Sequence, residues 1–180
     1  MTDFVFSGFG GQGALTAGLI LVKAGMEFGK QVSWIPSYGS EMRGGTANCN
    51  VKVSDRRIAS PFVKDIDVLV AMNIPSLDKF GDAVRPDGFI VANESMCADY
   101  AFKKESRVFF VPATAIAGQL ENSRGANIVM LGALAGIWND IPAEDVKAGL
   151  HLFFEEKKAK YNPKNDTCFD RGLAEVKERR

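Results

Sequence analysis

The chain has 180 residues, with 22 Lys+Arg, 22 Asp+Glu and one His, so its formal net charge is zero. Its 46% hydrophobic and 24% charged content is that of a soluble globular domain, and its length is close to one domain of about 150 residues, long enough to bury a core without staples. Zero net charge argues against an extended nucleic-acid footprint but leaves room for a small basic pocket. Three scattered cysteines without a C-x-x-C pair, beside a single histidine, argue against a four-ligand zinc or iron–sulfur site built by this chain alone.

Phe4-Val5-Phe6 reads as a buried first strand ending at Ser7-Gly8. Gly8 to Gly13 is a glycine loop. Ala14 to Phe28 carries Leu15, Leu19, Val22 and Met26 at helical spacing, with Ile20 and Leu21 widening the stripe, and Gly29 marks the helix end. Gln31 to Pro36 reads as a second strand, completing a strand–loop–helix–strand unit with an expected parallel sheet and right-handed crossover. A loop of small residues, Ser37 to Gly45, precedes a third strand, Thr46 to Val53, whose pairing direction the pattern leaves open. Ile66 to Met72 is a buried strand. Asn73 to Ser76 opens a short helix with Leu77 and Phe80 inward. Pro86-Asp87-Gly88 reads as a turn, followed by strands at Phe89–Ala92 and Arg107–Val111.

From Ala113 the pattern is helical: Ala113–Leu120, Ala126–Trp138 and Pro142–Leu150, then surface helices at Glu155–Lys158 and Leu173–Arg180. Alternating strands and helices predict an α/β fold, a three-layer Rossmann-like domain with a mainly parallel sheet and a helical C-terminal part. No repeat or linker divides the chain, so residues 1–180 are expected to form a single domain with a charged helical tail at 151–180. The longest uncharged apolar stretch of the second half, Ala126–Trp138, is too short to span a bilayer. The N-terminus lacks a basic region and cleavage site, and the sparse cysteines fit a reducing compartment, so the expected location is the cytoplasm, with no membrane partner.

Gly8-Phe9-Gly10-Gly11-Gln12-Gly13 contains G-x-G-x-x-G between a strand and a helix, the context that motif requires. Glycines let a ligand approach the main chain, and the helix start offers unpaired N–H groups and a positive dipole end, so a phosphate or pyrophosphate suits the spot. Ala14-Leu15 replaces the lysine and hydroxyl of a P-loop, which argues against ATP or GTP hydrolysis of that type. Ser33 to Ser37 offers no acid to clamp a ribose, which argues against ordinary NAD binding. The second loop adds Ser37, Tyr38, Gly39, Arg43, Gly44, Gly45 and Thr46 at the end of the second strand, where α/β sheets hold ligands. Arg43 suits a phosphate but is equally placed to pair with Glu41.

Taken together, G-F-G-G-Q-G-A-L-T-A, S-Y-G-S-E-M-R-G-G-T-A-N-C, V-x-V-S-D and Asn127–Ala133 resemble the gamma subunit of the 2-oxoacid:ferredoxin oxidoreductases over roughly residues 3–150. The resemblance implies oxidative decarboxylation of a 2-oxoacid to an acyl-CoA, with thiamine diphosphate and iron–sulfur clusters on alpha, beta and, in part of the family, delta subunits, ferredoxin as acceptor, and the gamma subunit helping to bind coenzyme A. It places Gly8, Gly10, Gly11, Gln12 and Gly13 in a first coenzyme A loop and Ser37, Tyr38, Gly39, Arg43, Gly44, Gly45 and Thr46 in a second. It implies an enzyme subunit inactive alone, with no catalytic residue and no metal ligand of its own, and it leans toward 2-oxoglutarate as substrate. Cys49 reads as a small buried residue and His151 as structural or surface. Phe153-Phe154 reads as core or as a subunit contact, and a symmetric dimer is open to the isolated chain. Two other readings remain: a stand-alone nucleotide-binding oxidoreductase, and a docking module without ligand.

Overall fold

The computed structural model describes residues 1–37, 46–103, 106–155 and 162–179. In chain order its elements are β1 (Thr2–Phe9), α1 (Ala14–Glu27), β2 (Gln31–Ser37), β3 (Thr46–Ser54), β4 (Ile66–Ala71), α2 (Ile74–Phe80), β5 (Val84–Asn93), α3 (Glu94–Cys97), β6 (Arg107–Val111), α4 (Ala113–Gln119), α5 (Ala126–Ile137), α6 (Ala143–Glu155), α7 (Asn162–Glu175) and β7 (Lys177–Glu178). The strands form one sheet in the order β2-β3-β1-β4-β5-β6-β7. Strands β1, β4, β5 and β6 pair in parallel, and β2 runs the same way; β3 and β7 oppose them. The sheet is thus mainly parallel and carries helices on both faces. Among the described residues no helix is long and apolar enough to cross a membrane.

The β1-α1-β2 unit forms, but its two strands are not neighbours. β3 returns between them and pairs antiparallel with both, from Phe9↔Thr46 to Thr2↔Val53 on one side and from Gln31↔Ser54 to Ser37↔Asn48 on the other. Strand chemistry explains the arrangement. Cys49, Val51 and Val53 of β3 are buried against the helical layer, whereas β2 contains Pro36, which cannot donate to a ladder and suits an edge strand. On the other face the directly paired Asp3 and Lys52 form a buried ion pair at 2.6 Å, so neither charge is left alone.

Alternation on the strands separates two cores. Phe4 and Phe6 of β1 face a large cluster built with α1, α4, α5, α6 and α7, while Val5 faces a smaller one with Leu77 of α2 and Cys97 of α3. The burial of α1 differs from the expected stripe. Leu15 and Leu19 are only half-buried and Met26 is 61% exposed, whereas Ala17, Gly18, Ala24 and Gly25 are buried. The reason is close approach: a Cβ on Gly18 would stand 2.6 Å from Cys49 Sγ, and one on Gly25 would stand 2.7 Å from Val32. Across the helix pair, Gly149 of α6 sits directly against Ala24. Gly29, at φ +77°, ends α1 as expected, with the Lys30 N–H donating back to the Gly25 carbonyl.

Two other expectations change. Pro86-Asp87-Gly88 is not a free turn but lies inside β5, where the register against β4 jumps from Ile66↔Val84 to Val68↔Phe89. The turn residues make a bulge rather than a chain reversal. No separate helix covers Leu173–Arg180: α7 begins at Asn162 with Pro163 in its first turn, ends at Glu175, and is followed by β7 on the edge of β6. The charged composition of this tail hid its apolar face, where Cys168 and Phe169 are buried. Of the expected Glu155–Lys158 surface helix, Glu155 is the last residue of α6 and the rest lies outside the described residues.

The α5–α7 crossing is backbone against backbone. A Cβ on Gly132 would fall 2.0 Å from the Phe169 carbonyl oxygen, and one on Gly172 would fall 2.0 Å from that of Val129. Gly172→Ala is expected to cost roughly 2–3 kcal/mol, read as a lower denaturant midpoint. Gly81→Ala, whose Cβ would meet nothing within 4 Å, is expected to hold stability or gain up to about 1 kcal/mol in the same measurement.

All three cysteines are buried. Burial pushes the Cys49 and Cys97 thiols up to about 12 and raises that of Cys168. A raised thiol pKa keeps the unreactive protonated form as pH climbs toward that value. A thiol reagent at mildly alkaline pH is therefore expected to label none of the three in the folded chain and all three after denaturation.

Candidate functional site

Because β1, β4, β5 and β6 run in parallel, their C-terminal ends share one edge, and the glycine loop leaves β1 there. Asparagines finish the neighbouring strands. Asn73 caps α2, its Oδ1 accepting from the Ser76 N–H at 3.0 Å, and Asn93 donates to Thr114 Oγ1 at 2.8 Å. Gln12 is tied into this network. Its Oε1 accepts from the Phe9 N–H at 2.7 Å and from Asn73 Nδ2 at 2.8 Å, so its side-chain carbonyl holds the loop's shape.

The glycines of the loop divide into two kinds. Gly8 and Gly13 are places of close packing: a Cβ would stand 2.8 Å from Met72 and 2.6 Å from Asn127 Nδ2. Gly10 and Gly11 face open space, with nothing within 4 Å of where a Cβ would be. Gly11 also needs its left-handed φ of +94°, but Gly10 has no such need. Nothing within the described fold requires glycine at position 10.

Gly13, at φ +77°, is the N-cap of α1; no side chain caps that end and no acid lies in its first turn. The same holds for α5, whose N-cap is Gly125. Asn127 in the first turn of α5 donates from Nδ2 to the Gly13 carbonyl at 3.1 Å, joining the two helix starts. Their free N–H groups and positive dipole ends therefore lie side by side. Between them opens a cleft of about 590 Å³, lined by Gly11, Gly13 and Thr16 on one side and by Glu121, Asn122, Ser123, Arg124 and Asn127 on the other. Its far wall carries Phe153 and Phe154 in an edge-to-face pair, with centroids 5.1 Å apart. Phe153 is buried and Phe154 half-buried. Glu121 is held at φ +50°, uncommon for a residue with a side chain, and Lys164 Nζ donates to its carbonyl at 3.3 Å. Beside the cleft, His151 of α6 pairs with Asp166 of α7 at 2.5 Å, a structural link between the helices.

The residues expected in a second loop are only partly in view. Tyr38, Gly39, Arg43, Gly44 and Gly45 lie outside the described residues. Ser37 ends β2 and Thr46 begins β3, and Thr46 is the register partner of Phe9, so both residues lie on the same sheet edge as the glycine loop. Ser37 and Thr46 belong to the face of the sheet opposite α1, where Thr46 Oγ1 accepts from Lys79 at 3.5 Å, and neither lines the cleft. Sequence reasoning missed Asn122, Ser123, Arg124 and Asn127. Their signal was a polar run ending in Gly125 just before the apolar helix Ala126–Trp138, with one asparagine inside its first turn.

The geometry also bears on dinucleotides. A dinucleotide fold holds the ribose from the end of the strand beside β1. Here that neighbour is β3, entering antiparallel with Thr46, so the position lacks both the carboxylate and the strand direction.

The family model for pyruvate ferredoxin/flavodoxin oxidoreductase matches residues 3–175. The ketoisovalerate oxidoreductase subunit VorA of Methanothermobacter marburgensis is 46% identical over 131 residues, covering 73% of this chain but 27% of that protein, so the match spans about a quarter of its length. The 2-oxoglutarate synthase subunit KorC of Methanocaldococcus jannaschii is 32% identical over 175 residues, covering 96% of this chain and 92% of that one. Among solved structures, 2-oxoglutarate:ferredoxin oxidoreductase from Magnetococcus marinus, with 2-oxoglutarate, coenzyme A and succinyl-CoA bound, superposes with a TM-score of 0.84 at 24% identity, over 96% of this chain and 30% of that one. A keto/oxoacid ferredoxin oxidoreductase gamma subunit from Geobacter sulfurreducens gives 0.80 at 24% identity over 97% of both chains. The chain belongs to the pyruvate ferredoxin/flavodoxin oxidoreductase family and has the gamma-subunit fold.

Proposed function

We propose that the chain is the gamma subunit of a cytoplasmic 2-oxoacid:ferredoxin oxidoreductase and supplies part of its coenzyme A site, in the cleft between the glycine loop and the start of α5. One observation carries this reading: two uncapped helix N-termini, locked together through Asn127 and Gly13, open on a cleft that also holds Arg124 and is bordered by Gly11. Coenzyme A is an ADP derivative with a pyrophosphate and a 3′-phosphate. Free backbone N–H groups, two dipole ends and a guanidinium are donors suited to such phosphates, and the aromatic wall of Phe153 and Phe154 offers a flat apolar surface. Gly10 and Gly11 leave the loop's backbone open to close approach. The coenzyme A bound in the Magnetococcus enzyme supports the choice of ligand.

In this reading the chemistry takes place on companion chains. Alpha, beta and, where present, delta subunits carry thiamine diphosphate and the iron–sulfur clusters and pass electrons to ferredoxin, while this chain binds and orients the acyl acceptor. Gln12, Gly8 and Gly13 would shape the cradle rather than touch the ligand. The 2-oxoacid itself binds beside the thiamine. 2-Oxoglutarate is the substrate favoured here, supported by a 2-oxoglutarate synthase subunit that matches nearly end to end. The 46% identity to a ketoisovalerate enzyme favours a branched 2-oxoacid as the second reading.

The test is a coenzyme A titration of the assembled complex. Arg124→Ala removes one charge-assisted contact of about 1.5–3 kcal/mol, so the Kd for coenzyme A is expected to rise about tenfold or more. Gly10→Ala adds only a methyl in open space and is expected to weaken coenzyme A without lowering the thermal midpoint. Unchanged affinity in both variants would remove the cleft from the site. Comparing turnover on 2-oxoglutarate and 2-oxoisovalerate decides between the two substrates.

A further inference from the structure

The opposite face of the sheet holds a second hollow. There β2 and β3 present polar side chains, Ser37, Asn48 and Asn50, toward the end of α2 and the segment at 63–66, and about 370 Å³ of space lies between them. Two lysines, Lys64 and Lys79, complete the polar lining, and among the described residues that lining holds no aspartate or glutamate. The strand carboxylate nearby in register, Asp3, is already paired to Lys52.

Asn48 gives this hollow its chemical sense. Only 7% of Asn48 is exposed, and among the described residues its carboxamide has no hydrogen-bond partner. The amide opens on the hollow, so a ligand that accepts its N–H takes the place of water there. Two residues earlier on the same face, about 7 Å along the strand, Thr46 Oγ1 accepts from Lys79 Nζ at 3.5 Å. Lys79 also lies over the Phe80 ring, 5.3 Å from its centroid, which holds the ammonium at the rim. The arrangement presents the Lys79 ammonium at the rim, two amides and a hydroxyl to a space at the small end of ligand pockets. Cations meet repulsion there, and a purely apolar guest leaves the amides unpaired.

We propose that this hollow is a binding site for a small oxyanion, a phosphate or carboxylate group held between Lys79 and the Asn48 amide. It lies on the other face from the coenzyme A cleft and does not depend on it. The test titrates the full chain with inorganic phosphate, and separately with acetate, at ionic strength held constant with chloride, following the side-chain amide NMR signals of Asn48 and Asn50. Saturable shifts with phosphate identify a phosphate site, and saturable shifts with acetate alone identify a carboxylate site. Lys79→Gln is expected to raise the apparent Kd about tenfold, Lys64→Gln gives a second variant should the first fold poorly, and Arg124→Ala in the cleft leaves the titration unchanged. No saturation with either anion, or the same titration in both lysine variants, overturns the proposal.

Discussion

The hydrogen bond from Asn127 to the Gly13 carbonyl, 3.1 Å long, joins two helix starts distant in sequence. Neither end has a side-chain cap or an acid in its first turn, so backbone N–H groups and two positive dipole ends share one small volume. Such an arrangement favours negative over positive charge in the space it faces. The rest of the helical layer keeps it in place. Gly18 and Gly25 seat α1 on the sheet, Gly149 seats α6 on α1, and Gly132 and Gly172 seat α7 on α5. At each crossing a hydrogen replaces a side chain, which fixes the helix axes and therefore where their N-termini point.

The sheet contributes direction. Five of its seven strands run the same way, and the loops after β1, β4, β5 and β6 emerge at one edge. β3 breaks this pattern by returning beside β1, so that the strand position used by dinucleotide folds to clamp a ribose is taken by a chain running the other way. The same insertion creates the polar face behind the cleft. Residues of β3 alternate between Cys49, Val51 and Val53 toward α1 and Asn48, Asn50 and Lys52 away from it. One strand thus closes the apolar core and carries the amides of the second hollow.

Much of the first loop's setting was legible in the chain. The glycine loop, its place between a strand and a helix, the ends of α1 at Ala14 and Gly29, and the motif likeness to gamma subunits all follow from local pattern, because turn conformation and helix termination are local properties. The individual roles of the glycines were not legible. Four glycines in six residues read alike, yet Gly8 and Gly13 answer to Met72 and Asn127, far along the chain, while Gly10 and Gly11 face open space. Gln12, expected in the ligand loop, also braces that loop against Asn73, a bond that local pattern could not show. Arg124 carried no motif and became visible only when α5 folded beside α1.

The order of strands and helices, the two-faced alternation of β1 and β3, and the glycine-dense turn between β1 and α1 were determined by the amino-acid sequence, since each depends on residues within a few positions of one another. Which strand lies beside β1, which face of α1 is buried and which polar residues meet at the cleft were decided by tertiary structure. Those outcomes depend on small residues meeting across helix crossings and on partners more than a hundred positions apart, as with Gly13 and Asn127. Close packing between surfaces has no signature in either sequence alone.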